Sequence, residues 1–79
     1  MNEDDFNNIR ERIGENLIRL RKEKGYTSYE SFAMDFDIPR AYYWQIENGK
    51  ANFTFKMLLK ILKAHGITAE EFFKRCKND

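Results

Sequence analysis

Few side chains in this sequence are of the types that catalyse a reaction or bind a metal ion. There is a single cysteine, Cys76, and a single histidine, His65, which excludes a disulfide within the chain and a zinc site with several nitrogen and sulfur ligands. There is no glycine-rich phosphate loop, and no nucleophile has an identifiable base. Paired acids such as Glu70-Glu71 are typical of a helix N-terminus. We therefore predict no enzymatic activity, no cofactor and no metal.

The length and composition of the chain indicate one small folded domain. The chain has 79 residues, of which 42% are hydrophobic and 34% charged, so residues 1–79 are predicted to form a single folded domain that is neither disordered nor membrane-spanning. The lone thiol and the lack of a signal-peptide pattern at the start favour the cytoplasm. A net charge of +1 argues weakly against nucleic-acid binding, for which a basic excess is usual.

Apolar residues recur at helical spacing along nearly the whole chain, and no segment alternates as a strand does. The pattern predicts five short helices and no sheet. Gly25 follows a basic stretch and is typical of the residue just after a helix. The first helix therefore ends there, and its apolar face consists of Phe6, Ile9, Ile13, Leu17 and Leu20.

Two further helices are predicted close together in the middle of the chain. Thr27 and Glu30 have the spacing of a capping box, which would start the second helix. That helix should stop at Asp37, because Pro39 disfavours helical geometry in the residue before it. Proline suits the first position of a helix, so we expect a third helix over residues 39–47, ended by an Asn-Gly pair.

Helix signals recur in the last third of the sequence. Thr54 can cap a fourth helix that continues to Gly66, and Thr68 with Glu71 forms a capping box for a fifth. The lysines of the fourth helix are interpreted as its solvated face: Lys56, Lys60 and Lys63.

The second and third helices are joined by only a few residues, as in a helix-turn-helix. The strings LRKEKG at 20–25, GYTSYESFA at 25–33, IPR at 38–40 and IENGK at 46–50 make this signal more specific. With them, the sequence over about residues 9–73 resembles the lambda-repressor/Cro-like, XRE-type helix-turn-helix family. The resemblance implies a compact all-α, five-helix DNA-binding domain, with helices two and three as the helix-turn-helix and residues 39–47 as the recognition helix in the major groove.

The resemblance also implies which residues contact DNA. Base contacts would come from Arg40, Ala41, Tyr42, Trp44 and Gln45. Arginine pairs with guanine, glutamine with adenine, and alanine can touch a thymine methyl. Phosphate contacts would come from Ser28, Tyr29, Asn48, Gly49, Lys50 and Asn52. The family also tends to pair two further positions, here Arg21 and Glu47, as a structural ion pair.

We predict a sequence-specific DNA-binding transcriptional regulator whose partner is double-stranded DNA. A domain this small makes few base contacts, so a homodimer is expected, with helix five and the chain ends as candidate interfaces. Burial of both Phe72 and Phe73 is favoured over exposure of one of them at such an interface. No membrane association and no small-molecule ligand are implied. The roles of antitoxin, phage-type repressor and restriction controller stay open.

The alternative function is a protein-interaction module derived from the helix-turn-helix, with a protein partner and little DNA binding. Residues 26–53 hold four acids and two bases, which disfavours DNA on the central segment. Tyr42 and Trp44 cannot both be buried in so small a domain, and large exposed apolar side chains usually mark an interaction site.

Overall fold

Five α-helices and short connections form the computed structural model, which describes residues 2–77. The helices are α1 (Glu3–Glu23), α2 (Tyr29–Asp35), α3 (Arg40–Glu47), α4 (Phe55–His65) and α5 (Ala69–Lys77). The predicted all-α class is confirmed, and no strand occurs between residues 2 and 77. Over the same span, no helix combines the length and the apolar character that crossing a membrane requires.

The start of α2 differs from the prediction. Ser28, and not Thr27, is the N-cap residue, and its hydroxyl oxygen accepts hydrogen bonds from the backbone N–H groups of Glu30 at 3.1 Å and Ser31 at 3.2 Å. The predicted capping box of Thr27 and Glu30 is therefore wrong. Both residues are good N-caps, and the one that lies directly before the helix satisfies its free donors.

The turn between α2 and α3 is closed by backbone hydrogen bonds around Asp37. This residue has a φ of 56°, which is the left-handed conformation, and its N–H donates to the carbonyl of Met34 at 3.3 Å. The N–H of Ile38 donates to the carbonyl of Ala33 at 2.9 Å. This pattern is a Schellman motif, which ends a helix by satisfying its last carbonyls.

This turn shifts two predicted boundaries. The motif at Asp37 requires α2 to end earlier, at Asp35, with Phe36 as its C-cap residue. Pro39 is the N-cap residue of α3 and not its first helical residue, so the predicted recognition helix 39–47 begins at Arg40.

The predicted signals of the last two helices are confirmed. The Thr54 hydroxyl oxygen accepts from the N–H of Met57 at 3.0 Å, and Gly66 follows α4 with a φ of 69°. Thr68 and Glu71 form the capping box, since each side chain accepts a hydrogen bond from the backbone of the other. The Thr68 backbone N–H, and also the Thr68 hydroxyl at 3.0 Å, donate to the Glu71 carboxylate and hold its pKa below its ordinary value.

All five helices contribute to one core, which is centred on Phe32. The Phe32 ring stacks on Tyr43 with centroids 5.1 Å apart and on His65 with centroids 4.9 Å apart, so α2 lies between α3 and α4 at this point. On α5, Phe72 is fully buried, but Phe73 is 42% exposed, so the expectation that both are buried is wrong. Adjacent residues point about 100° apart on a helix, so Phe72 reaches the core while Phe73 lies at its edge, in a groove beside α1.

Candidate nucleic-acid interface

Helix α3 has one face in the core and one in solvent. Tyr43 and Ile46 are fully buried, and Glu47 is buried beside them. The opposite side, here called the outer face of α3, is exposed and consists of Arg40, Ala41, Trp44 and Gln45. Four of the five predicted base-contact residues therefore share one solvent-facing surface.

The fifth predicted base-contact residue, Tyr42, is half-buried and packs against the core. Tyr29, predicted to contact a phosphate, is also half-buried against the core. Trp44, by contrast, exposes 39% of its surface. Among the neighbouring aromatic residues Tyr42, Tyr43 and Trp44, the tryptophan is thus the one most available to a partner.

A buried ion pair fixes the last turn of α3 to α1. Arg21 Nε lies 2.7 Å from Glu47 Oε2, and Arg21 Nη2 donates to Glu47 Oε1 at 3.1 Å. The third guanidinium nitrogen, Nη1, donates to the carbonyl oxygen of Tyr26 at 3.0 Å. The bonds to Glu47 raise the pKa of Arg21 despite its burial. This two-pronged geometry sets both the position and the rotation of α3.

The backbones of α1 and α3 touch at Gly14. A Cβ atom at this position would lie 2.2 Å from the carbonyl oxygen of Glu47, far inside contact distance. Only glycine allows the two helices to approach this closely. The absence of a side chain at residue 14 therefore sets the distance between α1 and α3.

The predicted phosphate-contact residues form two groups. Asn48, Gly49, Lys50 and Asn52 follow directly after α3, and Lys50 and Asn52 are exposed there. The Asn48 side chain donates to the carbonyl oxygen of Trp44 at 2.8 Å and so caps the end of α3. Ser28 and Tyr29 lie apart from this group, at the start of α2.

Lys60 of α4 contributes to the geometry of the helix-turn-helix in a way that the sequence did not indicate. Its side chain is exposed, as expected, but its Nζ also donates to the backbone carbonyl oxygen of Asp37 at 2.7 Å. The two residues are 23 positions apart, so no local pattern could reveal this contact. Lys60 thus attaches the turn between α2 and α3 to α4.

A second exposed surface, here called the α1–α5 patch, is apolar. It consists of Phe6 and Ile9 on α1, Phe55 on α4 and Phe73 on α5, which line a common groove and are between 40% and 62% exposed. The groove also reaches Asn52, in the loop after α3. Phe6 and Ile9 belong to the predicted apolar face of α1, but they lie at its exposed end. The sequence indicated this region only through the chain ends and helix five.

None of the described residues, 2–77, form a cluster of three or more histidine, cysteine or acidic side chains that could hold a metal ion. The chemistry of the outer face of α3 is instead that of hydrogen bonds from a guanidinium, an amide and an indole, beside apolar contact surface. Such a face suits a polar partner with distinct donors and acceptors.

Comparison with known proteins gives consistent matches. The model of the helix-turn-helix family matches residues 17–72, a range that contains the whole of α2 and α3. The chain is similar to control protein C.MunI of Mycoplasma sp, with 49% identity over 68 residues, which covers 86% of this chain and 92% of that protein. It is also similar to control protein C.BamHI of Bacillus amyloliquefaciens, with 34% identity over 65 residues, or 82% and 80% of the two chains.

Proposed function

The chain belongs to the XRE-type helix-turn-helix family of DNA-binding transcriptional regulators, and we propose that α3 is the helix with which it reads the major groove. The observation that carries this proposal is the division of α3 into two faces. Arg21 and Glu47 fix its inner side to α1, whereas its outer face presents hydrogen-bonding side chains to solvent. An α-helix fits the major groove, where every base pair shows a distinct pattern of donors and acceptors.

The side chains of the outer face suit different bases. Arg40 can donate two hydrogen bonds to guanine, and Gln45 can pair with the edge of adenine. The Ala41 methyl and the Trp44 ring offer apolar surface for a thymine methyl. Arg40 and Gln45 are five residues apart, about 7.5 Å along the helix, so they read base pairs about two steps apart.

The residues on either side of α3 in sequence hold the DNA backbone in this proposal. Lys50 supplies a positive charge, and the amides of Asn48 and Asn52 and the backbone at Gly49 supply donors. Ser28 and Tyr29 contact phosphates from the start of α2, and the Tyr42 hydroxyl contacts a base edge from the side of α3. Contacts of this kind set the register of the helix on the duplex.

The names of the relatives favour one biological role among those open. Both are named control proteins, and we propose that this chain is likewise a transcriptional controller and not an antitoxin or a phage-type repressor. It then has no catalytic role and acts in the cytoplasm, where the DNA is. The identity of the neighbouring gene tests this role, since a toxin gene or phage genes beside it would contradict the controller.

We further propose that the regulator is a homodimer that buries the α1–α5 patch. A second copy related by a two-fold axis presents the same apolar residues and so covers the patch with matching chemistry. Because the groove of the patch reaches Asn52, a two-fold axis there brings the C-terminal ends of both α3 helices close together. This suits the reading of two similar DNA half-sequences by one dimer.

Titration of a labelled duplex from the upstream region of the gene tests the proposed function. Fluorescence anisotropy at several salt concentrations should show binding at low salt that weakens as salt rises, because bound cations are released from the phosphates. A scrambled duplex of the same composition should bind more weakly. Absence of binding at low salt, or equal affinity for both duplexes, contradicts a sequence-specific regulator. If the chain does not bind DNA but binds a protein through Trp44, the alternative function as a protein-interaction module is supported instead.

A further inference from the structure

Arg10 of α1 holds the side chain of a residue 42 positions later. Its Nη1 donates to Asn52 Oδ1 at 2.8 Å, and its Nη2 donates to Asn7 Oδ1. The guanidinium carbon also lies 4.8 Å from the centre of the Phe6 ring. Three neighbours on two segments of the chain therefore fix the guanidinium in place.

The chemistry of this contact fixes the orientation of the Asn52 amide. A guanidinium has donors only, so the Asn52 atom that faces Arg10 must be the carbonyl oxygen. The Asn52 NH2 group is then turned away from Arg10, on an exposed residue in the loop that follows α3. A phosphate oxygen accepts hydrogen bonds from an NH2 group but is repelled by a carbonyl oxygen.

Arg10 itself is poorly placed to contact DNA. The residue is half-buried, each of its terminal nitrogens already donates one hydrogen bond within the chain, and its Nε is buried with no hydrogen-bond partner among the described residues. We propose that Arg10 is a positioning residue for DNA binding, which holds the Asn52 carbonyl oxygen so that the Asn52 NH2 group donates to a phosphate. The inference rests on the proposed function, because it assigns the donor for one of the proposed phosphate contacts.

A double-mutant cycle in the full chain tests this inference. Arg10→Met and Asn52→Ala should each weaken binding to the upstream duplex about three- to tenfold, the worth of one hydrogen bond. Since both remove the same contact, the double variant should bind no more weakly than Asn52→Ala alone. Lys22→Met, which removes an equal charge from an exposed position on α1, should leave the affinity nearly unchanged.

Two further readouts separate positioning from other roles of Arg10. The slope of affinity against salt concentration should be the same for Arg10→Met and wild type, because Arg10 neutralises no phosphate; a decrease of about one would show direct contact and overturn the inference. Asn52→Asp keeps an oxygen for Arg10 but has no donor. It should bind DNA more weakly than Asn52→Ala while remaining folded in urea titrations.

The outcomes distinguish this inference from the proposed function. If the wild-type chain does not bind the duplex, the proposed function fails. If it binds and the losses of Arg10→Met and Asn52→Ala are additive, only the role of Arg10 is overturned. Wild-type affinity in Asn52→Asp also overturns it, and this outcome does not depend on whether Arg10→Met folds.

Discussion

The outer face of α3 and the α1–α5 patch expose aromatic rings to a similar degree but in different surroundings. Trp44 is 39% exposed among an arginine and a glutamine, whereas Phe73 is 42% exposed beside two phenylalanines and an isoleucine. The first surface can satisfy donors and acceptors on a partner, and the second can only exclude water. Equal exposure therefore does not mean equal function, and the neighbours of a ring indicate which partner it suits.

The largest effect should come from a change in the buried ion pair that supports the outer face of α3. Glu47→Ala leaves the Arg21 guanidinium buried without its partner, and we expect a loss of about 3–5 kcal/mol in the free energy of unfolding. Urea denaturation measures it. The double variant Arg21→Met with Glu47→Met is the control, since it removes both charges and should retain much more stability. A loss below about 1 kcal/mol in Glu47→Ala would mean that the pair does not fix α3.

A change on the α1–α5 patch should weaken self-association without altering the outer face of α3. Phe73→Glu places a charge in the apolar groove, and we expect the dimer to weaken by at least about 2 kcal/mol while the monomer stays folded. Analytical ultracentrifugation measures the dimer, and urea denaturation the fold. Met34→Glu is the matched control, because Met34 is 76% exposed but lies outside the patch. An unchanged dimer in Phe73→Glu would place the interface elsewhere.

A change on the outer face of α3 should weaken DNA binding and leave self-association unchanged. Arg40→Ala removes a proposed guanine contact and should cost about 1–3 kcal/mol of DNA-binding free energy, with specificity relaxed at one base pair. Anisotropy titrations against single-base variants of the duplex measure both quantities. Lys63→Ala removes a charge from an exposed site on α4 and should change affinity far less. If Arg40→Ala binds as the wild type does, the outer face of α3 does not read bases.

The effect that is smallest at neutral pH should come from the titration of His65, and it should appear only as the pH falls below about 6.5. Burial, with the charges of Lys24 and Arg75, lowers the pKa of His65 to about 4, against the opposing charge of Glu23. In the unfolded chain, with a pKa near 6.5, His65 binds a proton more readily, so its contribution to stability is complete above pH 6.5 and is lost as pH falls towards 4. Urea denaturation from pH 7 to pH 4 should show a steeper loss for wild type than for His65→Phe.

The helix ends were largely predictable because their causes are local. Gly66, with its φ of 69°, and the bonds between Thr68 and Glu71 lie within a few residues of the termini that they determine. The error at Thr27 has the same origin. Two neighbouring residues had suitable hydroxyls, and only the exact start of α2 selects Ser28.

The parts that could not be predicted depend on contacts between distant segments. The bonds from Arg10 to Asn52 and from Lys60 to Asp37 span 42 and 23 positions, and neither has a characteristic residue pattern. The exposure of Phe73 likewise depends on where α1 lies against α5. A family resemblance predicts the residues of the outer face of α3, whereas the α1–α5 patch depends on how three helices pack together.

The contact at Gly14 has a consequence for the spacing of DNA sites. In the proposed dimer, each α3 helix is held at a distance from the two-fold axis that depends on how closely it approaches its own α1. A side chain at residue 14 would push α3 outward, since the obstacle is the rigid backbone oxygen of Glu47. By symmetry, the same shift occurs in both subunits, so the distance between the two recognition helices would increase. In the proposed dimer, the glycine at residue 14 thus helps to set the separation of the two half-sites.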